Sequence, residues 1–460
     1  MKLTANPELD RNLWTEFSWG RVIGGPIVIA GLVWFFGSHE IDVPKTIIGT
    51  VQSMAYAVLY LWGCHSIAGA LPSEMRNQSW DLQRMSALSS WSITWGKLLG
   101  PASYQWYCTF VMLLIYLACV MVQHPGPIQF AKLVIEVPAV FLACGFLAHG
   151  VSFLCSINTS MARHDFFSTL IGAGFGSFAL ISALQYVGYN TGAGYIMQLP
   201  PAMHWNGMLV DQSHLAFGSI AFFSFWAVMG AQRMIRARLQ YKNTPIMWAL
   251  FQVTFLIYVT GFFDQLAIFA EKETIAMSKA TFCFFFLAFS TYIGAFSNAD
   301  NLSGYKRLAA AYRKQATMDF FTALPPWVVS AAGMIPALAA VFVFAPGEML
   351  AGHKQGLEML CLSVTFLVVR DSAVFHLLFL SGRIRHVGFY LLVYMFLLYF
   401  LLPIMAGEIP HGVTNRLVGF FYPQDSHDFT VSVLPIALES LFALALLKSV
   451  LGRDKERMPS

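Results

Sequence analysis

The sequence predicts an all-α, polytopic helical membrane protein, on three observations. Apolar residues make up 57% of the 460 and charged residues only 11%, where a soluble domain carries about a quarter of its residues as charges. No single soluble core of this size would hide so much apolar surface. Uninterrupted apolar runs recur along the chain, far longer than the alternating segments of about 10 residues that build a membrane β-barrel. Hydrocarbon offers no partner to a backbone N–H or C=O, so runs of this length must be helices. Lys and Arg, finally, concentrate on alternate connections.

The elements follow in chain order. Residues 1–20, MKLTANPELDRNLWTEFSWG, are polar where a cleavable signal peptide would already be apolar. Within them Leu9, Leu13 and Phe17 recur at intervals of four with charges between. That pattern predicts a helix lying in the membrane interface, with Trp14 and Trp19 as anchors. Six apolar runs succeed it at about 22–37, 48–70, 99–122, 130–154, 167–187 and 213–232. Six more lie at about 244–262, 280–298, 327–346, 356–380, 388–406 and 430–448. About 12 transmembrane helices are therefore expected, as two six-helix halves, 1–238 and 239–460. With the N-terminus inside, 21 of the 28 Lys and Arg fall on inside segments and six outside, Arg370 being the remainder. This bias puts both termini in the cytoplasm. The net charge of +4 follows the sides of the membrane and points to no nucleic-acid partner. Seven scattered cysteines form no disulfide framework.

Two stretches need separate treatment. The tenth run holds adjacent Arg370 and Asp371. A charge pair buried in hydrocarbon is costly and usually functional, whereas an interfacial pair is cheap. The helix is therefore read as surfacing near Arg370, with burial toward the bundle as the alternative. Between the second and third runs, Trp80, Leu82, Met85, Leu88, Trp91 and Trp95 recur at helical spacing. They predict one half-wet helix over 80–95 whose Leu82–Met85–Leu88 stripe and Trp91 are buried. RNQSWDLQRMSALSSW (76–91) has an echo in AYRKQATMDFFTALPPW (311–327), which follows the eighth run. Both end on a similar core, ALSSW and ALPPW, with Asp81 and Asp319 upstream. Membrane units repeat in this way when related by an axis along the membrane normal.

Residues 74–100, EMRNQSWDLQRMSALSSWSITWGKLLG, resemble the cytoplasmic connection of ABC-2 type transporter permeases. There an acidic and basic prelude leads into a segment of the form E/D-L-L-x-x-T-P-L-S-x-x-x-I-x-x-G-K-L-L. Asp81, Leu82, Leu88, Ser89, Ile93, Gly96, Lys97, Leu98 and Leu99 match it, while Gln83, Ser86 and Ala87 stand where it has Leu, Thr and Pro. Asn6-Pro7-Glu8-Leu9 is similar to the start of some of these permeases. The second half, MDFFTALPPWVVSAAG (318–333), matches less well and lacks the Gly-Lys. The resemblance implies a permease subunit of an ATP-driven exporter, with two six-span units fused in one chain. It also implies a place in the cell membrane (the inner one in a Gram-negative cell) and ATP hydrolysis by separate cytoplasmic ABC ATPase subunits. Glu74, Arg76, Asp81 and Arg84, with Arg313, Lys314 and Asp319 in the second half, would then form the surface that meets the ATPase. No cofactor is implied.

Other motifs point elsewhere or nowhere. No G-x-x-x-x-G-K-[ST] occurs, so neither ATP hydrolysis nor another catalytic activity is expected of the chain itself. Cys64-His65 has Leu61 where a haem-attachment motif needs its first cysteine. His65, His149 and His376 fall in or near apolar runs and read as packed or pore-lining side chains before haem ligands. The loop 188–212 is either an ordinary connection or a re-entrant element. In the loop 407–429, Glu408, His411, Asp425, His427 and Asp428 cluster without zinc-site spacing. They keep a polytopic enzyme as one alternative function. A stand-alone secondary transporter is the other, since it also uses two halves, although the runs are poor in the acidic residues that ion coupling needs. Reporter fusions after residues 40, 125, 200, 275, 350 and 415 are expected to signal from outside; inside signals from two or more would break the duplicated topology.

Overall fold

The computed structural model of the chain describes residues 6–37, 43–86, 88–122, 132–159, 165–186, 202–241, 243–268, 272–297, 308, 310–315, 317–344, 354–380, 387–407 and 433–456. They divide into two compact units, residues 1–203 with 209–243 and residues 204–208 with 244–460. Among the described residues, ten helices are long and apolar enough to cross a membrane. The chain is a multi-pass helical membrane protein.

The first unit begins with a short helix α1 (Pro7–Glu16) and a first span α2 (Trp19–Gly37). Helix α3 runs from Val43–Tyr56 through a π-helical turn, Ala57–Trp62, into Gly63–Arg76. Two short helices, α4 (Ser79–Met85) and α5 (Ser90–Leu99), precede α6 (Ser103–Val122). Helix α7 (Val137–Thr159) follows a π-helical turn at Lys132–Glu136, and α8 (Asp165–Tyr186) and α9 (Gln212–Arg238) complete the unit. Of the loop 188–212, residues 202–211 form a hairpin, Ala202–Trp205 with Met208–Asp211. Asn206 and Gly207 turn it with φ of 49° and 75°, the left-handed pair that a two-residue hairpin favours. The rest of that loop lies outside the described residues.

Helix α7 is the post around which this unit is built, and small or polar residues let its neighbours close in. The π turn of α3 faces it: Tyr60 donates to the Phe141 carbonyl (2.8 Å), and His149 Nε2 donates to the Leu59 carbonyl (2.8 Å). Ser152 donates to the carbonyl of Cys64 (3.0 Å). A π turn leaves carbonyls outside the regular ladder, and His149 of α7 supplies the donor for that of Leu59. His149 is thus a packed side chain, edge-on to Trp106. Beside that contact, Gly172 and Gly176 bring α8 against α7. A Cβ on Gly172 would stand 2.5 Å from Ser152 Cβ, and one on Gly176 would overlap Ala148 Cβ. Lipid tails are as apolar as leucine, so close backbone approach replaces the hydrophobic effect as the force between such helices. The large side chains point outward instead: Trp34, Phe35, Phe110 and Phe178 are all exposed.

The second unit contains α10 (Ile246–Thr260, continued by a 3₁₀ stretch, Gly261–Ile268), α11 (Lys272–Ser297), α12 (Thr317–Ala323) and α13 (Pro326–Phe344). Helix α14 (Lys354–Leu380) follows, then α15, which runs from Val387–Phe396 through a π turn, Leu397–Leu401, into Leu402–Gly407. Helix α16 (Leu434–Glu456) is last. Helices α15 and α16 stand where the final two spans were expected. Gln252 of α10 donates to Ser290 of α11 (2.7 Å) and to Ser330 of α13 (2.5 Å), a polar tie in the apolar layer. His376 packs on Trp327 and bonds the Ser372 carbonyl (2.6 Å).

Arg370 and Asp371 do not surface. Helix α14 continues unbroken to Leu380, and their side chains are 3% and 0% exposed. The expected interfacial pair is overturned because partners reach it from three other helices, as set out below. The loop residues Glu408, His411, Asp425, His427 and Asp428 lie outside the described residues. The close contact of α8 with α7 makes one measurement decisive. Gly176→Val should destabilise the protein by about 1–3 kcal/mol through overpacking, read as a lowered unfolding temperature in detergent. Gly174→Val, with nothing within 4 Å of its Cβ position, should leave that temperature unchanged.

Candidate functional site

One end of the first unit is held by a cluster of charges in which Lys97 and Glu8 are buried and Arg11 lies at the exposed edge. Lys97 of α5 is 1% exposed, and its ammonium donates to Glu8 of α1 (3.1 Å) and to Glu74 at the end of α3. Arg11 closes the set, bonding Glu8 (2.8 Å) and Glu74. Two cations thus meet two carboxylates, and the buried charge is balanced. The indole of Trp80 covers the Lys97 ammonium at 6.0 Å.

The local sequence makes this geometry. Asn6 caps α1, its side chain accepting from the N–H groups of Glu8 and Leu9, and Pro7 opens the helix, a favoured start. The same Asn6 amide donates to the Ser92 carbonyl (2.8 Å), and Asn12 donates to the Gly96 carbonyl (3.2 Å). A Cβ on Gly96 would stand 2.5 Å from Glu8 Cγ, so only glycine admits α1 here. The face of α1 that packs inward is therefore Asn6, Glu8 and Asn12, while Trp14 and Trp19 are exposed. The expected stripe of Leu9, Leu13 and Phe17 is only half-buried. Exposed carbonyls and a buried ammonium on α5 attract polar groups more strongly than an apolar stripe.

Residues 80–95 are two helices, where one was expected. Helix α4 ends at Met85 and α5 begins at Ser90, with Ser89 capping it by accepting from the Ser92 N–H (3.1 Å). Gln78, left-handed at φ 58°, turns the chain out of α3 into α4. The burial also departs from the expected stripe. Trp80 is 5% exposed and Gln83 is buried, whereas Leu82 is 68% and Met85 78% exposed. Trp91, expected inside, is 41% exposed. The break at Ser86 rotates the two segments independently, so a single stripe cannot run through both.

The sequence-predicted site residues fall as follows. Glu74 belongs to the Lys97 cluster. Asp81 and Arg84 sit on the outer side of α4, 3.6 Å apart, beside exposed Leu82 and Met85. Arg76 is exposed. In the second unit Arg313, Lys314 and Asp319 are exposed, around a turn where Gln315 is left-handed at φ 54° and α12 follows. Helix α12 has no buried residue. Lys97, Glu8 and Arg11 were missing from the predicted set. The first two stand inside the matched segments Gly-Lys and Asn-Pro-Glu-Leu, and a charge placed at the edge of an apolar run was the available signal.

What fold and site together define is a polytopic helical membrane protein with an exposed, rigidly mounted surface at one end of its first unit. No family model, curated protein or solved structure matches the chain. Lys97→Met should leave buried carboxylates short of a partner, a change that typically costs about 3–5 kcal/mol. The expected outcome is release of α1, seen as faster amide exchange over residues 7–16, with Asp81→Ala unchanged in the same measurement.

Proposed function

We propose that the chain is the membrane-spanning permease subunit of an ATP-driven exporter of the ABC-2 type, with ATP hydrolysed by separate cytoplasmic subunits. The observation that carries this reading is α4. A seven-residue helix is anchored through Trp80 to a locked charge cluster, yet it presents Leu82, Met85, Asp81 and Arg84 outward together. Apolar side chains ringed by charges suit a protein partner, the charges setting orientation and choice. A helix mounted on α3 can pass a partner's movement to a span. The Lys and Arg bias puts this end in the cytoplasm, where an ATPase would be. The twelve-span arrangement, its halves at 1–238 and 239–460 and the inner-membrane location belong to the same proposal. The left-handed glutamine before a seven-residue helix, found at Gln78 and again at Gln315, supports the halves.

A second reading, the stand-alone secondary transporter, is favoured by one observation: Asp371 and Glu439 stand together inside the second unit, where ion coupling would need acidic groups. The two readings separate in one experiment. Asp81→Lys combined with Arg84→Glu reverses the outer charges of α4 without touching Trp80. We expect at least a tenfold loss of co-purifying ATPase with an unchanged yield of monodisperse chain, and a smaller loss for Asp319→Lys. Chain freed of its partner should hydrolyse no ATP. Full ATPase retention by the double variant would remove α4 as the coupling element, and a wild-type chain that transports with no ATPase present would establish the second reading.

A further inference from the structure

The buried charges of the second unit do not balance, and a cavity lies beside the surplus. Each nitrogen of Arg370 has an acceptor: Nε donates to Asp371 (3.0 Å), Nη1 to Glu439 (2.6 Å) and Nη2 to the Tyr399 hydroxyl (2.8 Å). Asp371 is saturated. One oxygen accepts from Arg370 and Tyr394 (3.1 Å), the other from Tyr292 (2.8 Å) and Tyr399 (2.5 Å). A carboxylate offers about four acceptor sites, and all are taken, so no position is left on it for a proton. Arg370 and Asp371 neutralise each other. Glu439 is the second carboxylate on one guanidinium, and among the described residues only one of its oxygens has a bonding partner.

Glu439 is also the member that is open, with 29% of its side chain exposed. It lines a cavity of about 240 Å³ with Arg370, Val374, Leu377, Tyr394 and Leu398. Apart from Arg370, Tyr394 and Glu439, the lining is aliphatic or aromatic. Arg370 is nine residues from the Phe379 end of its span and thirteen from the Leu357 end, or about 14 Å and 20 Å at the α-helical rise. Its charged end, at Arg370 and Glu439, therefore lies well inside the span, where an isolated negative charge is expensive. Something carrying one positive charge has to sit at Glu439, and the surrounding wall is apolar.

We propose that this cavity binds a small monovalent organic cation, its charge set against the free oxygen of Glu439 and its apolar body against Val374, Leu377 and Leu398. In the empty site a proton on Glu439 takes the place of the cation. The volume is below the roughly 300–1,000 Å³ of pockets for drug-sized ligands, so the ligand is small. An anion is disfavoured because the carboxylates of Asp371 and Glu439 already outnumber the one guanidinium between them. The titratable and charged groups facing Glu439 are Arg370 and Asp371 from α14 and Tyr394 and Tyr399 from α15, with Tyr292 of α11 behind them. Of the two carboxylates in this cluster, only Glu439 has an oxygen left without a donor among the described residues. The proposal stands apart from the ATPase assignment, since binding is measured with no partner present.

Phenyltrimethylammonium is a suitable probe because its own charge is independent of pH. Titrated into full-length chain in a non-ionic detergent, it should bind saturably, and its affinity should fall up to tenfold per pH unit once protons compete for Glu439. Tert-butylbenzene, its uncharged analogue of the same shape, should bind at least tenfold more weakly. Glu439→Gln should lose at least tenfold in affinity for the cation and lose the pH dependence. Leu398→Trp fills the cavity without touching the charged groups and should abolish binding while the protein stays monodisperse. No saturable binding to the wild-type chain, equal binding of the neutral analogue, or undiminished binding by folded Glu439→Gln or Leu398→Trp would each overturn the proposal.

Discussion

Inside hydrocarbon, a polar group that finds no partner in the protein finds none at all, and much of this architecture answers that constraint. The Leu59 carbonyl in the π turn of α3 meets His149, the Cys64 carbonyl beyond it meets Ser152, and Tyr60 of the same turn donates to the Phe141 carbonyl of α7. Gln252 ties two serines on two other helices. Lys97 was drawn under α1 with two carboxylates around it. The two ionic clusters differ in their sums. At the end of the first unit two cations face two carboxylates, a closed arrangement suited to holding helices still. In the second unit one guanidinium faces two carboxylates, and the arrangement remains open toward a cavity. Identical residue chemistry thus builds a fastener in one place and a receptor in the other.

The distribution of side-chain size follows from the same solvent. Water would drive Trp34, Phe110 and Phe178 inward; lipid has no such preference, and they face out. What draws the helices together is close packing and hydrogen bonding, so the seams are lined with Gly172, Gly176, Ala148 and Ser152.

This explains what could be read from the sequence and what could not. Span positions were legible because an apolar run long enough to cross hydrocarbon has few other uses. Among the described residues, ten such helices overlap the expected runs, and the similar stretches 76–91 and 311–327 each contain a short helix between spans. Rotation about each axis was not legible. Periodicity identifies an apolar face, but in lipid that face need not be the buried one: Leu82 and Met85 point out while Glu8, Asn12 and Lys97 point in. Arg370 was misplaced for a related reason. A charge pair within a run seems too costly until Glu439, Tyr292, Tyr394 and Tyr399 arrive from runs up to 78 residues earlier and 69 later. Single-run reading has no access to such partners. Asp81 and Arg84 were singled out from the sequence and stand exposed on α4, whereas the Lys97 cluster beside that helix was not anticipated.

The π turn at Ala57–Trp62 has a further meaning for α3. A π turn holds one residue more than the α-helical turn it replaces, and each residue advances a helix by about 100°. Everything beyond Trp62 is therefore rotated relative to a regular helix of the same sequence. Glu74, which lies on that far segment, meets Lys97 only in this phase. Were α3 to relax to uniform α-geometry, the half before the π turn could keep its packing on α6, while Glu74 would swing away from Lys97, α4 would turn with it and the Cys64 carbonyl would leave Ser152 of α7. The six residues thus act as a torsional setting within the span, and a helix that can change its twist at one point can transmit rotation along an axis that does not itself move.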